Sequence, residues 1–445
     1  MKNKLYIAYI LLVISLFIGV DTLQFRGEES RRFLMAFEMF FSKDYFNPTV
    51  LGEDYFNKPP LFGIVIAQIF HVLGFSEFAL RVISLISSIL SSVFAGYVSF
   101  LITRDKTASI LTAVIFLSAI DILFWYGFLA EIDMFFTLLV NISIFTFLYS
   151  VKSNNLLLSI GSGIFAGLGF LSKGFPIFLF AGTFVISLLF THRDKIKPIF
   201  IHTFLAVFSF SIVCLIWFLN LKHPDLYIQR LFDESFSRVE NPKSFLLDIL
   251  DDFKFVLTTL KQFFPWSLVL VLLLFRSKLN TDFSFQSLKF LYIWVGLSYA
   301  IFLLLTDSAG RYILPLYPAI SIIVSVILIK NRSDWLNKII YLVLLIAFIR
   351  IVAGLILPDI YIERKGNLKS YANSIVKVVD NKRLVCDCHS KYEVCAYIDM
   401  VYRKPVYSSK VRQDFDFKVS CEREEELKAV QTFKIGKDNF YLYIK

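Results

Sequence analysis

Apolar runs of about 17–25 residues recur from Leu5 to Leu357, and each can cross a hydrocarbon core of about 30 Å. Backbone polar groups in lipid must satisfy one another, so such a chain folds as a bundle of helices. The 445 residues are 57% hydrophobic and 18% charged, with mean hydropathy +0.66. That composition marks a polytopic membrane protein. The net charge of +10 falls mostly in short loops between the runs, where it sets orientation. No basic helix or basic–aromatic platform accompanies it, so nucleic acid is not an expected partner. After Val20 comes Asp21-Thr22-Leu23-Gln24, without a small-x-small cleavage pattern. The first run therefore reads as a retained span.

Candidate spans are Leu5–Val20, Ala79–Ile102, Thr107–Phe124, Met134–Tyr149, Leu156–Leu171, Phe175–Phe190, Pro198–Leu219, Thr258–Phe275, Leu288–Leu305, Ile313–Ile329 and Ile339–Leu357. Leu61–Phe75 is short, opens on a proline pair and carries Gln68 and His71. The distribution of cations decides its status. If it does not cross, Arg104, Lys106, Lys152, Arg193, Lys195, Lys197, Arg276, Lys278, Lys330 and Arg332 share the cytoplasmic side with the N-terminus. If it crosses, that bias reverses. It is read as a re-entrant or interfacial helix, giving roughly eleven spans with the C-terminus outside.

The same topology puts Glu28, Glu29, Lys58, Asp133, Lys173 and Arg311 on one outer face, although they are far apart in sequence. Charges kept beside a membrane imply a use. A carboxylate able to take a proton and cations able to hold a phosphate are the parts for cutting an activated, phosphate-linked substrate. Lys58, Lys173 and Arg311 can stabilise a leaving phosphate, and Asp133 can orient or deprotonate the acceptor. Glu29–Phe41 has the period of an interfacial helix. The outer loop Leu221–Phe253, with acids at Asp248, Asp251 and Asp252, reads equally as a lid or as a connector.

After Pro358 the composition becomes that of a small soluble α/β domain of about 85 residues, too small to stand well alone and expected to rest on the membrane part. Leu368–Val379 reads as an amphipathic helix. Arg383–Cys386, Pro405–Tyr407, Phe415–Val419 and Asn439–Ile444 read as strands, and Arg423–Ala429 as helical. Cys386, Cys388, Cys395 and Cys421 fall here. Disulfides suit an oxidising outer compartment, with metal binding or free thiols as alternatives. No histidine pair has ligand spacing.

Three motifs, Glu28-Glu29-x-Arg31, Tyr55-Phe56-Asn57-Lys58-Pro59-Pro60-Leu61 and Ser76-Glu77-Phe78-Ala79-Leu80-Arg81, make the chain resemble the GT-C superfamily of membrane glycosyltransferases. So do Ala130-Glu131-Ile132-Asp133-Met134, Gly169-Phe170-Leu171-Ser172-Lys173-Gly174 and Arg311-Tyr312-Ile313-Leu314-Pro315. The closest branch is that of the aminoarabinose lipid A transferases and protein O-mannosyltransferases. The resemblance implies an all-α membrane domain over 1–357 and a periplasmic α/β cap over 358–445. It further implies an inverting transfer, at the outer face of the cytoplasmic (inner) membrane, from a polyprenyl-phosphate sugar to a lipid, glycan or protein acceptor. It makes Glu28 the catalytic carboxylate, with Asp133 assisting, and leaves open whether Glu29 shares or takes that role. Glu29, Arg31, Lys58, Lys173, Arg311 and Tyr312 are then expected at the substrate. The family usually has aspartate at Glu28. Asn57 stands where the lipid A enzymes carry a glutamate implicated in metal binding, which argues against strict aminoarabinose specificity. No cofactor is implied beyond the donor, and a divalent cation is left open.

Two other classes share this outline. A flippase or transporter calls for ionisable groups at mid-membrane, and the spans read as free of charge at their centres. An outer-face oligosaccharide ligase or polymerase calls for a large basic outer loop, and Leu221–Phe253 is near neutral.

Overall fold

The structure is a computed structural model that describes residues 2–236, 245–276, 281–304 and 309–445. Lys278, Leu305 and Asp307 lie outside these residues, as do the side chains of Asp248 and Arg276.

The chain opens with α1 (Lys2–Phe17), then a connecting segment holding α2 (Glu29–Ser42), a hairpin of β1 (Thr49–Val50) and β2 (Glu53–Asp54), and α3 (Leu61–Leu73). The bundle continues through α4 (Glu77–Thr103), α5 (Lys106–Leu117), α6 (Ile132–Ser153), α7 (Leu156–Lys173), α8 (Pro176–Thr191) and α9 (Ile196–Phe218). After α10 (Pro224–Phe236) come α11 (Phe245–Gln262), α12 (Trp266–Arg276), α13 (Thr281–Leu304), α14 (Tyr317–Asn331) and α15 (Leu336–Lys365). Among the described residues, six segments are long and apolar enough to cross a membrane: Glu77–Thr103, Ile132–Ser153, Leu156–Lys173, Arg193–Phe218, Gly310–Asn331 and Ser333–Lys365. Helix α3 has 13 residues, a rise of about 20 Å, too little to cross.

The outward faces are apolar, as lipid requires. Helix α9 exposes Phe200, Phe204 and Phe208, and α15 exposes Leu345, Phe348 and Leu355. Inward faces use small residues that let helices approach closely. A Cβ at Gly163 of α7 would collide with the Ala206 carbonyl of α9. On α4, Ser84, Ser88, Ser91 and Ser92 are buried, and the Ser88 hydroxyl donates to the Gly127 carbonyl at 2.8 Å.

Three expectations need correction. The run Thr258–Phe275 is not one straight span: α11 and α12 meet at 103°. Pro265 lacks the N–H that would carry a helix through this point, and apolarity alone does not register the break. The span centres are not free of charge either. Arg350 of α15 is buried, and its guanidinium donates to the carbonyls of Leu123 at 2.9 Å and Ile18 at 3.1 Å. Carbonyl oxygens at the end of α1 and in the segment before α6 hold it. Third, Arg423–Ala429 is not helical. It is an exposed turn leading into β5 (Lys428–Ile435), which pairs antiparallel with β6 (Asp438–Ile444). Strand pairing overrides the helical propensity of its Glu, Leu, Lys and Ala residues.

The cap follows α15, which continues through Pro358 to Lys365. It consists of α16 (Leu368–Val379), β3 (Leu384–Asp387), α17 (Tyr392–Tyr402), β4 (Phe417–Ser420) and the β5–β6 hairpin, with sheet order β3-β4-β6-β5. Cys386 pairs with Cys395 and Cys388 with Cys421, so all four cap cysteines form disulfides. The cap rests on the first connecting segment. Gln24 bridges it through the Leu368 amide (2.8 Å) and the Gly366 carbonyl (2.9 Å), and the Phe25 amide donates to the Tyr397 hydroxyl at 3.1 Å. The Ser408 amide donates to the Leu51 carbonyl at 2.9 Å.

Two carboxyls are buried at this seam. Glu38 accepts from the Thr49 hydroxyl and from the Gly52 amide at 3.1 Å, and burial pushes its carboxyl up to about 7. Asp399 accepts from the Val406 amide at 2.9 Å; burial and then the Glu38 charge raise it well above the usual carboxylate range. Between the ordinary Glu value of 4.5 and about 7, folded Glu38 keeps a proton that the unfolded chain has released. Stability is therefore full at low pH and is lost as pH rises through that window. Thermal unfolding in detergent is expected to shift to lower temperature from pH 5 to pH 8. Glu38→Gln should flatten that slope, and an unchanged slope would contradict the assignment.

Candidate active site

The site is built on a clamp. Arg81 of α4 and Glu29 of α2 are both fully buried. Arg81 Nε donates to Glu29 Oε1 at 2.7 Å, and Arg81 Nη1 donates to the carbonyls of Val20 (2.6 Å) and Leu23 (2.7 Å). Glu29 also accepts from the amides of Arg26 (2.9 Å) and Ala130 (2.8 Å). Sequence expectation put Glu29 at the substrate. The structure places it behind the site, with both carboxylate oxygens already engaged by Arg81 and backbone amides.

Residues one step apart on a helix point about 100° apart, whereas positions i, i+3 and i+4 share a face. With Glu29 turned inward, Glu28, Arg31 and Arg32 face a cavity of about 130 Å³. Its other lining residues include Tyr55, Asn57, Lys58, Glu131, Asp133, Lys173, Glu234, Arg311 and Tyr312. Every expected site residue except Glu29 is therefore gathered at one end of the bundle, beneath the cap.

The charges pair off. Arg31 donates to Glu28 at 2.7 Å and stacks on Tyr392 of the cap, 4.9 Å from the ring centre. Lys173, in the last turn of α7, pairs with Asp133 in the first turn of α6, and its ammonium lies 5.2 Å from the Tyr312 ring centre. Lys58 pairs with Glu234 of α10, and the Tyr227 hydroxyl donates to the Lys58 carbonyl at 2.7 Å. The segment read as lid or connector thus covers this lysine. Burial pulls Lys58 down to about 8 against the upward pull of Glu234.

Glu131, which sequence reasoning did not rank, precedes α6 and lines the cavity. Burial, followed by the Asp133 charge, raises its carboxyl to about 7. Its Oε1 accepts from the Glu28 amide at 3.3 Å. Gly27 makes room for it: φ is +57°, and a Cβ there would lie 2.7 Å from that oxygen. Arg32 was also missed, although helical spacing puts it on the face of Glu28. Glu234 carried no signal, because only the fold brings α10 over Lys58. Among the described residues no group of three or more His, Cys, Asp or Glu is placed to hold a metal ion. Three of the cavity's carboxylates, Glu28, Asp133 and Glu234, are each paired with a cation.

Residues 57–217 match the family described as Dolichyl-phosphate-mannose-protein mannosyltransferase. An undecaprenyl phosphate-alpha-4-amino-4-deoxy-L-arabinose arabinosyl transferase of Yersinia enterocolitica is 28% identical over 333 residues, 71% of this chain and 56% of that protein. One from Proteus mirabilis is 24% identical, covering 75% of this chain and 61% of its own length. The chain thus spans less than two thirds of the length of these curated relatives. ArnT from Cupriavidus metallidurans, in a crystal structure bound to undecaprenyl phosphate, superposes with TM-score 0.72 at 14% identity, covering 99% of this chain and 97% of that one. The fold is that of ArnT. The likeness of fold extends, at TM-score 0.54 and 11% identity, to the archaeal oligosaccharyltransferase AglB from Archaeoglobus fulgidus, covering 94% of this chain and 69% of that one.

The two adjacent glutamates should separate cleanly by stability. Arg81→Met strands the buried Glu29 carboxylate and should cost about 3–5 kcal/mol. Glu28→Gln, at the cavity wall, should leave the unfolding midpoint nearly unchanged. Equal losses in both variants would refute the clamp.

Proposed function

We propose that this chain is an inverting glycosyltransferase that moves a sugar from a polyprenyl-phosphate donor to a lipid, glycan or protein acceptor at the outer membrane face. The observation that carries the reading is Glu28 and Lys58 facing one cavity from opposite ends of the same connecting segment, with Asp133, Lys173 and Arg311 completing it. The relatives named for undecaprenyl-phosphate sugars support the donor class. Aminoarabinose specificity does not follow, since Asn57 departs from their pattern.

The acceptor oxygen attacks the anomeric carbon, the bond from that carbon to the phosphate oxygen breaks, and its electron pair leaves with the polyprenyl phosphate. Lys58, Lys173 and Arg311 stabilise the charge gathering there. Glu28, held by Arg31, takes the acceptor proton, and Asp133 fixes the acceptor side. Glu131, whose carboxyl lies near neutrality, adjusts the charge of the cavity with pH. A transporter reading has less support, since the buried span cations Arg81 and Arg350 are fixed on Glu29 and on carbonyl oxygens.

Labelled polyprenyl-phosphate sugar incubated with membranes from cells lacking the protein tests this reading. Added wild-type protein should transfer label to a surface glycolipid or glycoprotein. Glu28→Gln should lower the rate about 10²–10⁴-fold while remaining folded. Full transfer by Glu28→Gln would sink the mechanism.

The membrane topology belongs to the same reading: about eleven crossings, N-terminus in the cytoplasm, and cavity and cap outside. The disulfide-bonded cap suits that side. Alkaline phosphatase fused after Lys445 should be active and, after Lys195, inactive. The opposite pattern would put the cavity in the cytoplasm.

A further inference from the structure

Five cations line the cavity: Arg31, Arg32, Lys58, Lys173 and Arg311. Three are neutralised by Glu28, Glu234 and Asp133. Arg32 is different. It is 4% exposed, and among the described residues no carboxylate reaches it within ion-pair distance. Its Nη1 donates to the neutral Tyr55 hydroxyl at 3.1 Å, and its Nε, also buried, has no hydrogen-bond partner. Arg81 of the neighbouring clamp, equally buried, shares its charge with Glu29 and three backbone carbonyls. The contrast lies within a single helix turn of α2.

A buried cation without a counter-charge costs stability, and the cost falls only when an anion enters. The vacant part of the guanidinium is a fork of parallel N–H donors, which matches the paired oxygens of a phosphate. Arg32 also acts on the volume around Lys58, since its charge is among those that press the Lys58 ammonium down. The two cations face one region of the cavity, with Lys58 parked on Glu234 and Arg32 held only by the Tyr55 hydroxyl.

We propose that Arg32 is a buried phosphate ligand of this cavity, binding the phosphate of the polyprenyl lipid on the Lys58 side. This rests on the donor reading above and deepens it. In the donor that phosphate is a diester carrying one negative charge. When its bond to the sugar breaks, it becomes a monoester with more charge, so an unpaired guanidinium holds the product side of the step most tightly. Tyr55 keeps the fork aimed.

The test measures thermal unfolding and equilibrium binding of the full chain in nanodiscs. The probes are undecaprenyl phosphate, undecaprenol, inorganic phosphate and a phosphorylated lipid A. Wild type should bind undecaprenyl phosphate and be stabilised by it, with no response to undecaprenol or inorganic phosphate. Arg32→Gln, without ligand, should unfold close to the wild-type temperature, because burial disfavours the charge while Tyr55, Glu28 and Glu131 favour it without an ion-pair contact. Its affinity for undecaprenyl phosphate should fall about ten- to hundredfold. Arg32→Lys, which keeps a charge without the fork, should fold and bind with intermediate affinity. Undiminished binding by Arg32→Gln overturns the proposal while leaving the donor reading standing. Marked destabilisation of ligand-free Arg32→Gln, or wild-type affinity in Arg32→Lys, also overturns it by showing a structural or merely ionic role. Loss confined to lipid A binding would move the phosphate to the acceptor and overturn the assignment. Failure of wild type to bind undecaprenyl phosphate would instead overturn the donor reading itself.

Discussion

The buried Arg81–Glu29 pair is the contact on which the site's geometry depends. It joins the end of α1, the start of α2, the second turn of α4 and the loop before α6, through the carbonyls of Val20, Leu23 and Gln24 and the amide of Ala130. Two charges are expensive to remove from water, and only saturated hydrogen bonding makes such a pair tolerable. Here both partners are saturated. The orientation of α2 then leaves no freedom: Glu29 faces Arg81, and helix geometry turns Glu28, Arg31 and Arg32 to the cavity.

Within the cavity most charges wait on one another. Lys58 rests on Glu234, Lys173 on Asp133 and Arg31 on Glu28. Such pairs hold the side chains near the positions a substrate needs and keep a strongly charged pocket soluble in its own walls. In the proposed reaction an entering phosphate competes with Glu234 for Lys58. Because Glu234 sits on α10, that competition couples donor entry to the segment over the cleft. The cap adds rigidity on the other side, where Tyr392 covers Arg31 and the two disulfides brace its own fold.

Much of the fold was legible because lipid imposes simple rules. Apolar run length located the helices, and the prolines before Leu61 together with the distribution of cations kept α3 from being counted as a span. Misreadings arose where a tertiary partner outweighed a local signal. The α11–α12 bend is invisible to hydropathy, Arg350 is held by the carbonyl ends of other helices, and β5 is a strand because β6 pairs with it. Helix α17 carried no strong period in sequence, and its seat against α2 and the Cys386–Cys395 bond define it.

The sequence by itself determined a polytopic bundle, a small α/β cap and a set of charges on the scale of one site, because each follows from composition and spacing, while it left the state of the cap cysteines open. It could not say which of two adjacent glutamates meets the cavity, since both have the same chemistry and neighbours. Nor could it single out Arg32 from Arg31, or Glu131 from other loop acids. Those assignments depend on which charges lie within a few ångströms of one another after folding. Ion pairing and desolvation act over that distance, and only the packed helices set it.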